Sequence, residues 1–388
     1  MSRFYSYLNS ASYLIDLYKG ELPFAIFLKQ YFAKEKKYGS KDRKFIAALC
    51  FNYFRTCKAI PHRNKEEQLL MATFVCENQP NALLALLKPE WNSQIEADLS
   101  FKIALLQEAF QVKNIFPLAQ HISASIDAQA FCMAIMVQPA LFLRLRPFKN
   151  DKVLGALTAA AIPFIKVAPN TLALANGSKM PETLILNLDY VVQDYGSQQV
   201  GDFIAPYVSN LSPQANIWDC CAASGGKSIM LSDLGFTNHL YVSDIRASIL
   251  TNLSQRFAEA GITKYTSFLA DLTVTPIKSP LSHYELILAD VPCSGSGTWG
   301  RTPEQLSFVE EENLLAYAQR QKIIVRHLSQ FLKPGGLLVY ITCSVFIEEN
   351  EEVVNTLIDS GFEELSSQYM LGYTHKADSM YVSILQKK

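Results

Sequence analysis

The 388-residue sequence predicts an α/β protein: a Rossmann-like domain in the second half, preceded by a small α+β unit and an all-helical front. Three observations predict it. Past residue 216, short apolar runs alternate with helix-length stretches, which specifies a parallel sheet covered on both faces. Between 131 and 190 the texture is that of brief strands around one helix. Before 128, apolar residues recur at helical spacing and prolines punctuate the chain.

In the front segment the helical spacing is clearest in Tyr13–Leu14–Leu17–Tyr18 and in Phe45–Ile46–Leu49–Phe54. Ser40, before Lys41-Asp42-Arg43, is a candidate N-cap for the second stretch. Pro61, Pro80, Pro89 and Pro117 divide the rest into short helices, so a helical bundle is expected. In the next segment Leu141, Leu143 and Leu145 alternate as in a strand, Asp151 to Ala161 reads as a helix, and Phe164–Val167 and Thr171–Leu174 as two further strands. Arg144 and Arg146 on the first strand suit an RNA-facing sheet or an adapter. The later strands are Ile217–Cys221, Leu240–Asp244, Tyr265–Ala270, Glu285–Ala289 and Leu337–Thr342, with helices near 227–235, 246–260 and 308–332.

Composition excludes several classes. Half of the residues are hydrophobic and 18% are charged, which suits a well-packed protein and not a disordered one. Met1 to Asn9 is polar and aromatic, unlike a signal peptide, and no apolar run approaches membrane-spanning length. The eight cysteines form no C-x-x-C pair, so reduced thiols in a cytoplasmic protein are expected, and no metal. Residues 1–190 hold 22 Lys+Arg against 15 Asp+Glu and residues 191–388 hold 13 against 21, so a net charge of −1 divides into +7 and −8. A basic front on an acidic back fits a phosphate-binding module joined to a catalytic domain.

In doubly wound folds ligands sit at the carboxyl ends of the strands. After the first run comes Asp219-Cys220-Cys221-Ala222-Ala223-Ser224-Gly225-Gly226-Lys227-Ser228, a small-residue turn into a helix. A Walker loop would need glycine at 221, where Cys221 stands. The literal G-x-G-x-x-G at Gly295, Gly297 and Gly300 follows the fourth strand with no clear helix in it, and so is a decoy. Asp244 ends the second run, placed for both hydroxyls of a ribose, and Asp271 follows the third, about where an adenine edge would lie. Each alone could be a helix cap; carboxylates at successive strand ends behind that loop point to a nucleoside cofactor. The fourth run leads into Asp290-Val291-Pro292-Cys293-Ser294-Gly295 and the fifth into Thr342-Cys343-Ser344. A lone cysteine near a strand end is usually packing, but two at the mouths of adjacent strands, flanked by polar or glycine residues, suit reactive thiols.

These segments resemble the Sun/Fmu-type RNA (cytosine-5) methyltransferases and their bacterial 16S rRNA group. The resemblance rests on Ala223-Ser224-Gly225-Gly226-Lys227, on the Asp290–Gly295 and Thr342–Ser344 motifs, on Lys333-Pro334-Gly335-Gly336 and on Glu348-Glu349-Asn350-Glu351. It extends back through Val192–Gln198 and to Ser40–Phe45 with Arg55, similar to the NusB-type RNA-binding module of some members. The family usually has proline at position 224 and threonine or a like residue at 228.

The resemblance implies a class I S-adenosylmethionine methyltransferase domain at 191–388, an RRM-like α+β subdomain at 129–190 and a NusB-like domain at 1–128. It assigns to Cys343 the attack on carbon 6 of a cytosine, to Asp290 the nitrogen 3 edge of the ring, and to Cys293 a part in releasing Cys343. Lys227 would lower a cysteine pKa or steer the base, and Arg301 is a candidate phosphate or base contact. Cofactor contacts are expected from Cys221, Ala222, Ala223, Ser224, Gly225, Gly226, Lys227, Asp244, Arg246, Asp271 and Asp290. The expected substrate is ribosomal RNA, with transfer RNA second, bound by a monomer with the target base splayed out. The rival readings are a non-catalytic RNA-binding assembly factor, which would have lost one of these groups, and a thiol-redox enzyme, which would want its cysteines close in sequence.

Overall fold

A computed structural model describes residues 3–236 and 239–388 of the chain; of the polar start, Met1 and Ser2 lie outside the described residues. Two compact units result, one made of the chain up to Gln138 together with Thr298–Glu311, the other of Pro139–Gly297 and Glu312–Lys388.

The first unit is the expected helical bundle: α1 (Arg3–Leu17), α2 (Phe24–Lys34), α3 (Ser40–Thr56), α4 (Lys65–Cys76), α5 (Ala82–Leu87), α6 (Pro89–Asn92), α7 (Leu99–Leu106) and α8 (Ala128–Ile135). The buried stripe of α1 is Tyr7, Leu8, Ala11, Leu14 and Ile15, while Tyr13 and Leu17 are exposed. The stripe read from the sequence is therefore rotated off the true one, because apolar residues stand on both sides of it. Gly39, not Ser40, precedes the first turn of α3, and its amide donates to Asp42 Oδ2 (2.9 Å). Arg55, in the segment that resembles the NusB module, is buried and donates to the Ile135 carbonyl (2.6 Å). Its charge is spent on packing. The segment Thr298–Glu311 completes this core: Trp299 packs on Phe116, Phe308 on Tyr18, and buried Glu304 accepts the Phe24 amide (3.0 Å) at the start of α2.

The second unit opens with β1 (Leu141–Leu145), α9 (Asn150–Ala159), β2 (Phe164–Ala168), β3 (Thr171–Leu174) and β4 (Tyr190–Val192), an antiparallel sheet of order β2-β3-β1-β4. Leu143, Leu145, Val153, Leu157, Leu172 and Leu174 form its core. Turns occupy 175–189, where a second helix of an RRM-like β-α-β-β-α-β unit would stand.

The catalytic sheet follows: α10 (Tyr195–Val208), β5 (Ile217–Asp219), α11 (Gly226–Asp233), β6 (Leu240–Asp244), α12 (Ala247–Glu259), β7 (Tyr265–Leu269), β8 (Tyr284–Asp290), α13 (Glu311–Ser329), β9 (Leu332–Thr342), α14 (Glu351–Asp359), β10 (Phe362–Met370) and β11 (Met380–Lys387). Its order is β10-β11-β9-β8-β5-β6-β7, parallel from β9 to β7, with β11 antiparallel to both neighbours. The chain runs from β5 outward through β6 and β7, then returns to β8 on the other side. That reversal opens a crevice above β5 and β8, where ligands bind in such sheets.

The β1 arginines do not face RNA. Arg144 donates Nη1 to Asp233 at the end of α11 and Nε to Gln193 (2.6 Å), and Arg146 donates Nε to Asp233 (2.7 Å). Phe142 stacks on Tyr195 of α10. This sheet face is buried against the catalytic domain, so two arginines that look like phosphate contacts in sequence are internal ion pairs. Among the described residues no helix is long and apolar enough to cross a membrane.

Candidate active site

The loop from β5 into α11 is bent by two residues in the left-handed region, Ala223 (φ 47°) and Gly225 (φ 85°). Gly225 is demanded twice over: a Cβ there would lie 2.6 Å from Phe257 Cε1 of α12. Below the loop Asp219 is fully buried and accepts the Ser228 hydroxyl (2.5 Å), while its Oδ1 has no partner among the described residues. Burial pushes this carboxyl up to about 7; Ser228 opposes the shift and the charge of Asp290 adds to it.

Above the crevice lies a cavity of about 440 Å³. Cys220, Cys221 and Ala223 line it from the loop, Asp244, Ile245 and Arg246 from the end of β6, and Asp271, Leu272 and Thr273 from beyond β7. Asp290, Pro292, Cys293 and Cys343 close it, with Arg320 and Ile324 of α13 on the flank. Asp244 Oδ2 accepts the Ala223 amide (3.2 Å) and Oδ1 the Arg246 amide (3.0 Å), so the carboxylate ties the end of β6 to the loop. Asp271 accepts the amide and hydroxyl of Thr273 (2.9 and 2.6 Å), which hold its pKa below the usual range. Neither carboxylate caps a helix by its side chain. Two carboxylates at neighbouring strand ends beside a small-residue loop form a set of acceptors that fits a nucleoside carrying ribose hydroxyls.

The chemistry gathers at the ends of β8 and β9. Lys227, on the first turn of α11, donates to Asp290 Oδ2 (2.6 Å). Burial alone would lower its ammonium pKa, but the charge and hydrogen bond of Asp290, with Cys343 and Asp219 nearby, leave it raised. Cys293 and Cys343, 50 residues apart in sequence, stand with their sulfurs 3.3 Å apart. The hydrogen bond to Cys343 and then burial push the Cys293 thiol well above its ordinary pKa.

Each cysteine loop is braced by one residue of the acidic segment after β9. Glu349, fully buried, accepts the Ser294 amide (2.8 Å) and Gln321 Nε2 (2.9 Å) on Oε1 and the Ser294 hydroxyl (2.5 Å) on Oε2. Gln321 donates also to the Pro292 carbonyl (2.9 Å). Asn350 accepts the Thr342 hydroxyl (2.5 Å) and donates to the Ser344 carbonyl (2.9 Å), and so holds the turn that bears Cys343. Gly297 ties the loops together: its amide donates to the Cys343 carbonyl (2.9 Å), and any Cβ there would fall on the Ser379 carbonyl.

Of the residues singled out in the sequence, Cys221, Ala223, Asp244, Arg246, Asp271, Asp290, Cys293 and Cys343 line one cavity, and Lys227 joins it through Asp290. Ala222, Ser224, Gly225 and Gly226 shape the loop without lining the cavity. Arg301 lies instead in the segment that completes the helical unit, where its amide closes a turn on the Thr298 carbonyl. Glu349, Asn350, Gln321 and Arg320 have no role assigned from sequence. Glu349 and Asn350 stand inside a segment that carries the resemblance, so a signal is present. Gln321 and Arg320 lie mid-helix, where nothing sets them apart.

This fold and pocket define a class I, Rossmann-like methyltransferase domain. Residues 206–384 match the model of the 16S rRNA methyltransferase RsmB/F family, of Sun/Fmu type. The chain is 28% identical over 273 residues to the probable ribosomal RNA small subunit methyltransferase B of Synechocystis sp., covering 67% of this chain and 59% of that one. It is 26% identical over 239 residues to the protein of the same name in Bacillus subtilis, covering 60% and 52%. The chain thus spans between half and three-fifths of the length of these relatives. Among solved structures, PH0851 superposes with a TM-score of 0.70 at 17% identity, covering 96% of this chain and 97% of that one. NSun6 from Pyrococcus horikoshii, solved with SFG, superposes with a TM-score of 0.58 at 15% identity, covering 69% and 96%. Both likenesses are of fold.

Proposed function

We propose that this chain transfers a methyl group from S-adenosylmethionine to carbon 5 of a cytosine in RNA, with small-subunit ribosomal RNA as substrate. The observation that carries the reading is the pair of cysteine sulfurs 3.3 Å apart beside the Lys227–Asp290 ion pair, at the mouth of a cavity with two ribose-placed carboxylates. The curated relatives are named for ribosomal RNA, and the basic front half suits a phosphate backbone.

When bound, S-adenosylmethionine supplies the methyl group; Asp244, Asp271 and the 221–226 loop would hold it. The remaining work falls to side chains. Cytosine carbon 5 is a weak nucleophile until a thiolate adds to carbon 6 and makes the ring an enamine. Cys343 is that thiolate, with Cys293 3.3 Å from its sulfur and the Lys227 ammonium in the same site. Asp290 accepts a hydrogen bond from the ring protonated at nitrogen 3, and so favours the form in which that edge takes up the electrons the thiolate pushes into the ring. Carbon 5 then takes the methyl group. Solvent takes the carbon 5 proton, the freed electron pair forms the carbon 5–carbon 6 double bond, and the carbon 6–sulfur electrons return to Cys343, with Cys293 serving that release. The front helical unit, read as NusB-like, docks the RNA, and the protein works as a cytoplasmic monomer.

The test is methylation of small-subunit RNA and of transfer RNA by the purified chain, read by bisulfite sequencing. One or a few protected cytosines in ribosomal RNA are expected. No protected cytosine in either RNA would overturn the reading, and protection in transfer RNA alone would move the substrate.

A further inference from the structure

We propose that Arg256 is a positioning residue for the cofactor, clamping the loop at Ser224; the inference rests on the S-adenosylmethionine reading above. Ser224 sits between Ala223 and Gly225, both in left-handed conformations, at the sharpest point of the loop. Among the described residues no hydrogen bond from its own amide is seen. Its other two polar atoms are both taken by one group. Arg256 Nη1 donates to the Ser224 hydroxyl (2.8 Å) and to its carbonyl (3.1 Å).

The opposite edge of the guanidinium is anchored. Nε and Nη2 both reach Asn187 Oδ1 (3.3 and 3.2 Å). Asn187 is itself held on every side: it is buried, its amide donates to the Tyr190 carbonyl (2.7 Å), its Nδ2 to Glu259 (2.7 Å), and its carbonyl accepts Arg146 Nη1 (2.5 Å). A planar fork that bridges a fixed acceptor to a bent loop transfers rigidity in a way an ammonium cannot. The Ala223 amide in turn donates to Asp244, so a loop released at Ser224 also frees the carboxylate placed for the ribose. Cys293, Cys343 and Asp290 are braced by Glu349, Asn350 and Lys227, which Arg256 does not touch. The clamp therefore governs cofactor affinity, not the chemical step.

The experiment is titration calorimetry of S-adenosylmethionine and S-adenosylhomocysteine against the full chain, with steady-state methylation alongside. With the charge-assisted clamp lost, Arg256→Ala should weaken cofactor binding about tenfold or more. KM for the cofactor should rise in step while kcat at saturating cofactor stays within about twofold. Ser224→Ala, which removes only the hydroxyl acceptor, should weaken binding less, at an unchanged melting temperature. Arg256→Lys should not restore affinity. Proline fixes φ near the range of a residue with negative φ, and position 224 is not among the positive-φ residues. Ser224→Pro in the Arg256→Ala background should therefore recover most of the lost affinity. Wild-type affinity in Arg256→Ala, or a fall in kcat without a change in affinity, would overturn the clamp, as would a double variant that regains nothing. Failure of the wild-type chain to bind the cofactor would instead overturn the reading beneath it.

Discussion

The sulfurs of Cys293 and Cys343 face each other across 3.3 Å at the carboxyl ends of neighbouring parallel strands, and the two thiols are not equivalent. The hydrogen bond to Cys343 and then burial push the Cys293 thiol toward its protonated form. Cys343→Ala is expected to abolish methylation with cofactor affinity intact. Cys293→Ala is expected to accumulate protein joined covalently to RNA, seen as a shifted band on a denaturing gel. A trapped band from the Cys343 variant and none from the Cys293 variant would reverse the assignment.

Asp290 and Lys227 should behave as one unit. Asp290→Asn removes the counter-charge from an ammonium that is itself buried, and removes the acceptor facing the ring. A loss of about 10²–10³-fold in kcat is expected, the size seen when one preorganised electrostatic group is removed. Lys227→Met should cost kcat as well, and the double variant should lose less than the product of the two. Strictly multiplicative losses in single-turnover rates would show that the pair does not act together.

Asp219 gives the chain a pH-dependent stability. Burial raises its carboxyl from 3.8 to about 7 in the folded state. Between those values the folded protein keeps a proton that the unfolded chain has released, so stability from this group falls as pH rises from about 4 to 7 and levels off above. Asp219→Asn removes the titration while keeping an acceptor for Ser228. Its stability relative to wild type should climb from pH 5 to about pH 7 by about 1.4 kcal/mol for each pH unit, and hold level above. Melting temperatures of the two proteins across that range provide the measurement. A gap that stays flat would show that the carboxyl titrates normally.

How much of this is legible in the sequence follows the physics of each signal. The strands of the catalytic sheet are readable because both their faces are buried, and Leu286, Leu288, Val339 and Ile341 write that directly as apolar runs. The antiparallel strands, β10 at the sheet edge and β11 beside it, are not. Phe362–Met370 alternates polar and apolar residues with weak contrast, and its pairing with Met380–Lys387 is decided by tertiary contact. The reactive groups are legible because ligands gather at strand ends, so a position in the pattern already implies a place in the fold. Their braces are not: Gln321 reaches Glu349 across 28 residues and Arg256 reaches Asn187 across 69, distances over which pattern carries nothing. The front half shows the opposite failure, an over-reading. Arg55, Arg144 and Arg146 look like phosphate contacts in sequence because arginine carries the same charge whether it faces solvent or a buried acceptor.

That last point makes Asp233 the residue on which the seam between the small sheet and the catalytic domain depends. Its two oxygens take Arg144 and Arg146 separately, and all three side chains are about nine-tenths buried. Removing the shared acceptor leaves two guanidinium groups in a site where Arg144 Nη2 already lacks a partner among the described residues. Breaking a buried ion pair from one side costs about 3–5 kcal/mol, far more than the net contribution of the intact pair, because the stranded charge has lost its solvation. Asp233→Ala is therefore expected to destabilise the unit that holds the catalytic sheet by that amount in urea unfolding. Replacing Arg144 and Arg146 by Met and Asp233 by Leu together should recover most of the loss. A penalty below about 1 kcal/mol, the range of an exposed pair, would show that solvent reaches the seam and would reopen the β1 face as a surface for RNA.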